Sequence, residues 1–517
     1  MALTIESLEN AKDALPKVLN DFSAKNKDIY LADARIEVFE GKSAAAIQGN
    51  IKGATEDWGL ATGVRCFAKK DNVVAGGFIG RSMGEAELAN IELELEEMLG
   101  IALKRARRNA GWKAKAINDA GFFGKSLYST KLADIAPAVD NWEIPYKKNP
   151  GDVSLEEIIK RVEDNSKAIQ ETEGIASNTV AMVTGLGRKI FASTEGALID
   201  QKKALTEAFI YVVAQGKAID SFYDTLGGWK GVEVLDGVNE FDKTLEEFGK
   251  YLAEGTVELS NAPAMKKTEN ATVILDPWYN ALLSHEITGH PNEADRALKK
   301  EAAWAGRAWW FKGIDDNKFG EQVASEELTV FSDPTIEGYG NYKYDDEGVK
   351  AKRIINIDKG ILNEFLNSRE TAAILGKEPN GGMRATSAEN MPLVRMNNTC
   401  FAPGSWKKDE LFEDTKDGYY IVGQKIPSIG ETRQNFKITC WKVYKIKNGE
   451  LGQLYRSGGV TGDSYTVLKS IDAVADDFSI HNIPNCGKGT PMQTMKVGNG
   501  GPHLRAKATV SGSHMGE

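Results

Sequence analysis

The chain has 517 residues, 41% hydrophobic and 27% charged, the balance of an ordinary soluble protein long enough for roughly two to four domains. A formal net charge of −10 gives no general attraction to nucleic acid or to an anionic membrane surface. Four cysteines without close pairing suggest no disulfide framework. No apolar run spans a membrane or forms a leader, so a cytoplasmic location is expected, with no nucleic-acid and no membrane partner.

Residues 5–22 and 85–109 read as amphipathic helices; in the second, Leu88, Ile91, Leu95, Leu99 and Ala102 recur at helical spacing. Between them, 30–38, 44–52, 59–68 and 73–79 alternate like sheet strands. The basic run Lys104, Arg105, Arg107 and Arg108 follows acids over 92–97 on the same predicted helix, the pattern of a solvated face. A helix is predicted over 154–170 and strands with glycine turns over 179–213, with a boundary near 259–264. Next, 271–275 reads as a buried strand handing over to a helix at Asp276-Pro277, an N-cap and first-turn pair. From 354 to 510, short apolar runs separated by Gly, Asn and Asp suggest a curled or barrel-like antiparallel sheet. The fold class expected is therefore α+β. An N-terminal α/β region over 1–260, divisible into subdomains 1–150 and 151–260, precedes a mostly antiparallel β region over 261–517 that carries the helix begun at Asp276.

That helix carries the densest chemistry in the chain. His285-Glu286-Ile287-Thr288-Gly289-His290 places two of only five histidines around a glutamate, the arrangement of two metal ligands flanking a general base. Five residues turn a regular helix by about 500°, so these histidines would point about 140° apart and could not share one ion. Two local departures repair this. A π-bulge would tighten the angle between positions five apart. Alternatively the helix breaks between Gly289 and Pro291, with Gly289 as its C-terminal residue and Pro291 pushing His290 out of the α region. The break is the preferred expectation.

A catalytic zinc usually takes three protein ligands and keeps a fourth position for water, so a third ligand is needed. Cys66 and Cys440 lie in strand-like runs and read as small core residues; Cys400 is ambiguous; Cys486 sits in the polar, glycine-rich stretch 483–490, read as a loop able to bring a thiolate to a metal. Asp345-Asp346-Glu347-Gly348 could hold a hard cation but reads better as an exposed turn. Arg395 could bind a peptide carboxylate or brace loops, with bracing preferred. Gly498-Asn499-Gly500-Gly501 lacks the strand-to-helix context of a phosphate loop, and His481 and His503, although near Cys486 in sequence, read as structural. Trp304, Trp309, Trp310 and Phe311 read as core or interface, and 512–515 resemble a cloning scar, which sets His514 aside.

Taken together, His285 to His290 with Glu293 and Asp295, then Tyr344-Asp-Asp-Glu-Gly348, Arg395-Met-Asn-Asn398 and Asn485-Cys-Gly-Lys-Gly489, resemble the TldD/PmbA family, the modulators of DNA gyrase, over roughly 260–512. Gly59 to Arg65 adds a looser match in the N-terminal half. The resemblance implies a zinc (Zn2+) metallopeptidase in which His285, His290 and Cys486 hold the metal and Glu286 is the general base. Glu293 and Asp295 either orient the ligand histidines or form a solvated acidic turn. The resemblance also implies an enclosed site for unfolded peptides, in a homodimer or in a heterodimer with a PmbA-type paralogue. The competing expectations are a regulatory binding protein whose metal is structural, and a silent scaffold subunit of a peptidase complex.

Overall fold

Alternation of small and branched apolar residues with polar ones builds very long strands in the first half of the chain, and their hairpins lay down one broad sheet. The computed structural model describes residues 3–119, 129, 131–301, 307–310 and 317–512. Strands Ile29–Ile47, Asn50–Lys70 and Val73–Met83 form an antiparallel meander; Ile29–Ile47 also pairs with Ile175–Ser193, which pairs with Leu198–Gln215. Ile219–Gly228 continues antiparallel along one end of Leu198–Gln215, and Val139–Glu143 runs parallel along the other. The sheet thus takes strands from both sides of residue 150. Where sequence alternation suggests separate strands over 30–38 and 44–52, one strand runs to Ile47 and turns at Gln48 and Gly49, both with positive φ.

Helices cover this sheet. Glu9–Lys25 and Ile91–Asp119 bury Leu15, Leu95, Leu99 and Ala102 against strand residues such as Ile36 and Val64. The basic run Lys104, Arg105, Arg107 and Arg108 stays on the exposed side. Leu155–Gln170 and Leu245–Asn261 pack on another part of the sheet, and into their core the C-terminal half inserts Trp278 and Trp441. Trp441 stacks on Phe222 with ring centroids 4.6 Å apart, a contact that ties the two halves together.

In the second half, five strands close into a barrel. Glu269–Leu275 pairs with Leu504–Gly512, which pairs with Gly458–Asp463, then Asn435–Lys447, then Asp417–Ile429, all antiparallel. Asp417–Ile429 then pairs in parallel with Glu269–Leu275 and completes the ring, leaving no free edge around the circuit. Beside the barrel lies a second sheet in which Ser479–Lys488 pairs with Gln493–Gly501 and Gln493–Gly501 runs parallel to Asn398–Phe401. The fold is α+β with a closed barrel in its C-terminal region.

The helix Pro277–Ser284 sits between barrel and second sheet. Asp276 caps it, its carboxylate accepting from the Tyr279 amide at 2.6 Å. On one side the Tyr279 hydroxyl donates to the Ile438 carbonyl of the barrel; on the other the Ser284 hydroxyl reaches the Thr399 carbonyl of the second sheet. Whatever follows Ser284 is therefore held from two directions.

Candidate metal centre

After Ser284 the backbone widens into a π turn over His285–Gly289, with the His290 amide donating to the His285 carbonyl five residues back. The wider turn reduces the angular step per residue, which swings His290 round to the side that His285 faces. Their rings lie 4.6 Å apart, nearly perpendicular. The bulge, rather than the preferred break, thus joins the two histidines. His290 stays in the α region, at φ −60° and ψ −41°, because a 3-10 turn over His290–Asn292 accommodates Pro291 in its first turn, where no proline amide is needed. The chain leaves the helix only at Glu293. Gly289 is also helical, at φ −62°, so it is not a left-handed C-cap. Its side-chain position is needed by Met396: a β-carbon there would lie 2.0 Å from the Met396 sulfur.

Cys486 comes to the histidines from the second sheet. Sequence composition reads its surroundings as a loop, but it lies within the strand Ser479–Lys488, just after a register shift between Ile483 and Cys486. A bulge re-aims side chains, and here it turns the thiol inward. One ligand atom each from His285, His290 and Cys486 lies within 4.8 Å of the other two; the Cys486 sulfur is 3.7 Å from His290 Nε2. All three residues are buried. The other cysteines sit elsewhere in apolar packing, where burial pushes the Cys66 and Cys440 thiols up to about 12 and Cys400 higher still. Burial also opposes ionisation of Cys486, but His290, His285 and Arg395 outweigh it and draw its thiol well below the usual range.

The surroundings fix which ring atoms face the cluster. His285 Nδ1 meets the Asn499 side-chain oxygen at 3.0 Å, and His290 Nδ1 meets Glu293 Oε2 at 3.0 Å. Both Nε2 atoms are thereby left for a metal, and two imidazoles with one thiolate form a donor set suited to zinc. Glu293 also accepts from Arg296 Nε at 2.6 Å and from Lys488 Nζ at 3.2 Å. Burial resists its ionisation, yet Lys488, His290 and Arg296 hold its carboxyl well below the usual carboxylate range. Asp295 differs from Glu293. It touches neither histidine and accepts from Lys488 at 2.7 Å, completing a buried charge cluster rather than a solvated turn.

Glu286 lines the same cavity as the three ligand candidates, with Arg433, Asn482 and Tyr223 on its walls. Its carboxylate forms an ion pair with Arg433. Burial raises the Glu286 pKa, but Arg433 and the two histidines prevail and keep it low. Arg433 has a positive φ of 63°, a strained backbone for a non-glycine residue at the tip of the hairpin joining Asp417–Ile429 and Asn435–Lys447.

Arg395 braces. Its guanidinium donates to the carbonyls of Cys486 and Gln493, holding the cysteine strand from behind. The Asp345-Asp346-Glu347 run is buried, not exposed: Asp346 pairs with Lys189 at 2.6 Å and Glu347 with Arg65 at 3.1 Å, so the long N-terminal strands supply cations that the local acidic sequence did not reveal. Gly498 and Gly500 allow strands to pack closely; β-carbons there would lie 2.2 Å from the Asn398 side chain and 2.1 Å from the Ser479 carbonyl. Asn499 between them is the partner of His285. His481 packs against Trp278 and Phe241, and His503 pairs with Asp477 at 2.6 Å; neither joins the group formed by the three ligand candidates. Trp310 is buried and donates to the Pro291 carbonyl at 3.0 Å, while Trp309 packs on Tyr465. Trp304, Phe311 and His514 lie outside the described residues.

Arg433, Asn499 and Lys488 also belong to this site, although no motif marks them as such. Lys488 and Asn499 lay inside stretches already singled out. Arg433 carried no signal, since only the hairpin brings it to Glu286.

The sequence pattern of the PmbA/TldA metallopeptidase C-terminal domain matches residues 268–512, and that of the family's central domain matches 148–259. A metalloprotease of Methanocaldococcus jannaschii is 32% identical over 93% of this chain and 96% of its own length. The chain belongs to the TldD/PmbA metallopeptidase family. A zinc metalloprotease TldD homolog of Saccharolobus solfataricus is 33% identical over 47% of this chain and 52% of its own length. The crystal structure of TldE from Thermococcus kodakarensis shares the fold, with a TM-score of 0.68 at 16% identity over 96% of this chain and all of that one. This TldD/PmbA-family chain is thus a metallopeptidase, and among its described residues no helix is long and apolar enough to cross a membrane.

Proposed function

We propose that this metallopeptidase uses zinc, held by His285, His290 and Cys486, to hydrolyse peptide bonds of unfolded peptides. The convergence of one atom from each of these residues within 4.8 Å, beside the carboxylate of Glu286, carries this reading. The name of the Saccharolobus relative supports the choice of metal. Zinc at such a site supplies Lewis acidity toward a water molecule and toward the scissile carbonyl.

The residues of the chain do the rest. Glu286, kept ionised beside Arg433, accepts a proton from the attacking water and returns it to the leaving amine. Asn499 and Glu293 hold the two imidazoles in the tautomers that leave Nε2 free. Arg395 holds the strand that presents Cys486. The cavity walls come from the central sheet, the barrel hairpin and the Cys486 strand, so an extended chain fits better than a folded surface. Assembly as a homodimer, or with a PmbA-type paralogue, would enclose the cavity further.

The test is digestion of an unfolded protein substrate by the zinc-loaded chain, run beside Glu286→Gln and Cys486→Ala. Cleavage that Glu286→Gln abolishes with its zinc intact supports the reading. Equal behaviour of the parent and Glu286→Gln overturns it.

A further inference from the structure

A second cavity lies where the central sheet meets the C-terminal half, lined by Lys189, Lys203, Arg384 and Lys496 together with Trp229 and Thr386. Four cations from four different elements converge there, and Asp346 is the only acid among the lining residues. Two of the cations are already matched. Lys189 pairs with Asp346 at 2.6 Å, and Lys496 pairs with Glu207 behind the wall.

Lys203 and Arg384 are not matched. Among the described residues neither forms an ion pair with a carboxylate. Lys203 Nζ sits 5.1 Å from the centroid of the Trp229 ring, and the Arg384 guanidinium lies 4.6 Å from that of Tyr342. Aromatic faces attract a cation but accept no strong hydrogen bond. Arg384 is 8% exposed; its contact with the Met396 carbonyl occupies one nitrogen, and its Nε is buried without a partner. The two cations repel each other across the cavity. Burial together with Lys189 pushes the Lys203 pKa down to about 8, against weaker opposing pulls from Glu37 and Asp346. An unmatched charge withdrawn from water, wholly at Arg384 and partly at Lys203, is costly, and two of like sign sharing one cavity are more so. An anion entering from solvent would relieve both at once.

We infer that this cavity is a binding site for a small oxyanion, a carboxylate or a phosphate, held between Lys203 and Arg384. Nothing in the metallopeptidase reading uses these residues, so the two stand or fall separately. The cavity is nevertheless close to the metal centre, since Met495 on its wall is the cross-strand neighbour of Cys486. The chain-terminal carboxylate of a peptide and a free anion share this chemistry, and the experiment separates them.

Calorimetric titration of the full-length, zinc-loaded chain with inorganic phosphate reads binding directly. Saturable binding is expected, weakened at least tenfold in Lys203→Met, a half-buried position where methionine keeps the volume of the stem; zinc content and circular dichroism check that the variant is folded. Phosphate that competes with cleavage of a carboxylate-ended peptide, but not of its carboxamide twin, assigns the cavity to the peptide terminus. Phosphate that binds and leaves both peptides alike assigns it to a free anion. No saturable binding by the parent, or equal binding by the parent and Lys203→Met, overturns the site.

Discussion

The carboxylate of Glu286 meets the guanidinium of Arg433 in a buried ion pair, and this pair joins the metal-motif helix to the tip of a barrel hairpin 147 residues further along the chain. Removing one member of such a pair leaves a buried charge without compensation, which typically costs about 3–5 kcal/mol. Arg433→Leu should therefore lower stability in urea denaturation by an amount of that order. Adding Glu286→Gln to it should recover part of the loss, because the stranded charge is then gone.

Glu286→Gln alone should preserve zinc content and depress kcat/KM for an unfolded peptide by about a hundred- to ten-thousand-fold, the usual contribution of a general base. Zinc analysis on the same protein preparation separates a lost base from a lost metal.

His285→Ala, His290→Ala and Cys486→Ala should each lose zinc to a chelator that leaves the parent loaded. Cys400→Ala should retain it, since Cys400 is buried in another strand and is not among the three residues whose ligand atoms converge. Glu293→Gln keeps a hydrogen-bonding group near His290 but removes the charge that Lys488 and Arg296 surround. A competitive chelator titration should show zinc affinity weakened by about 10–100-fold.

Asp276 caps the metal-motif helix from a buried position, and burial pushes its carboxyl up to about 6, against the pull of His503 and of the amides it caps. The folded state therefore holds the proton more tightly than the unfolded chain does. Between the ordinary aspartate range and pH 6 the native protein binds more protons, so this residue makes stability fall as pH rises through that window. Asp276→Asn keeps the cap without the charge and should flatten that part of a thermal unfolding profile. Asp276→Ala should cost about 0.5–2 kcal/mol at the acidic end of that window, as cap removal does, and less as pH rises through it.

Much of the site was legible because its chemistry is written in short stretches. His285, Glu286 and His290 announced themselves by type and spacing, and Cys486 by its resemblance to a family motif. The geometry that joins them was only half legible. A distortion had to exist, because five residues on a regular helix cannot present two ligands to one ion. Which distortion was chosen depended on Met396 packing against Gly289 and on the 3-10 turn that absorbs Pro291, neither of which local sequence reports. The acidic run at 345–347 reads as an exposed turn for a related reason. Acids in a row look solvated until Lys189 and Arg65 arrive from strands laid down far earlier in the chain.

By itself the sequence determined the α+β class, the helices beginning near residues 5, 85, 154 and 277, and the residue types able to bind a metal and move a proton, because periodicity and functional-group chemistry are local properties. The tertiary structure decided which strand turns Cys486 inward, that Asn499 and Glu293 orient the imidazoles, and that Arg433 faces Glu286. Those relationships arise where a closed barrel, a bulged strand and a π turn meet, and closure of a sheet brings together side chains whose distance along the chain carries no trace of their contact.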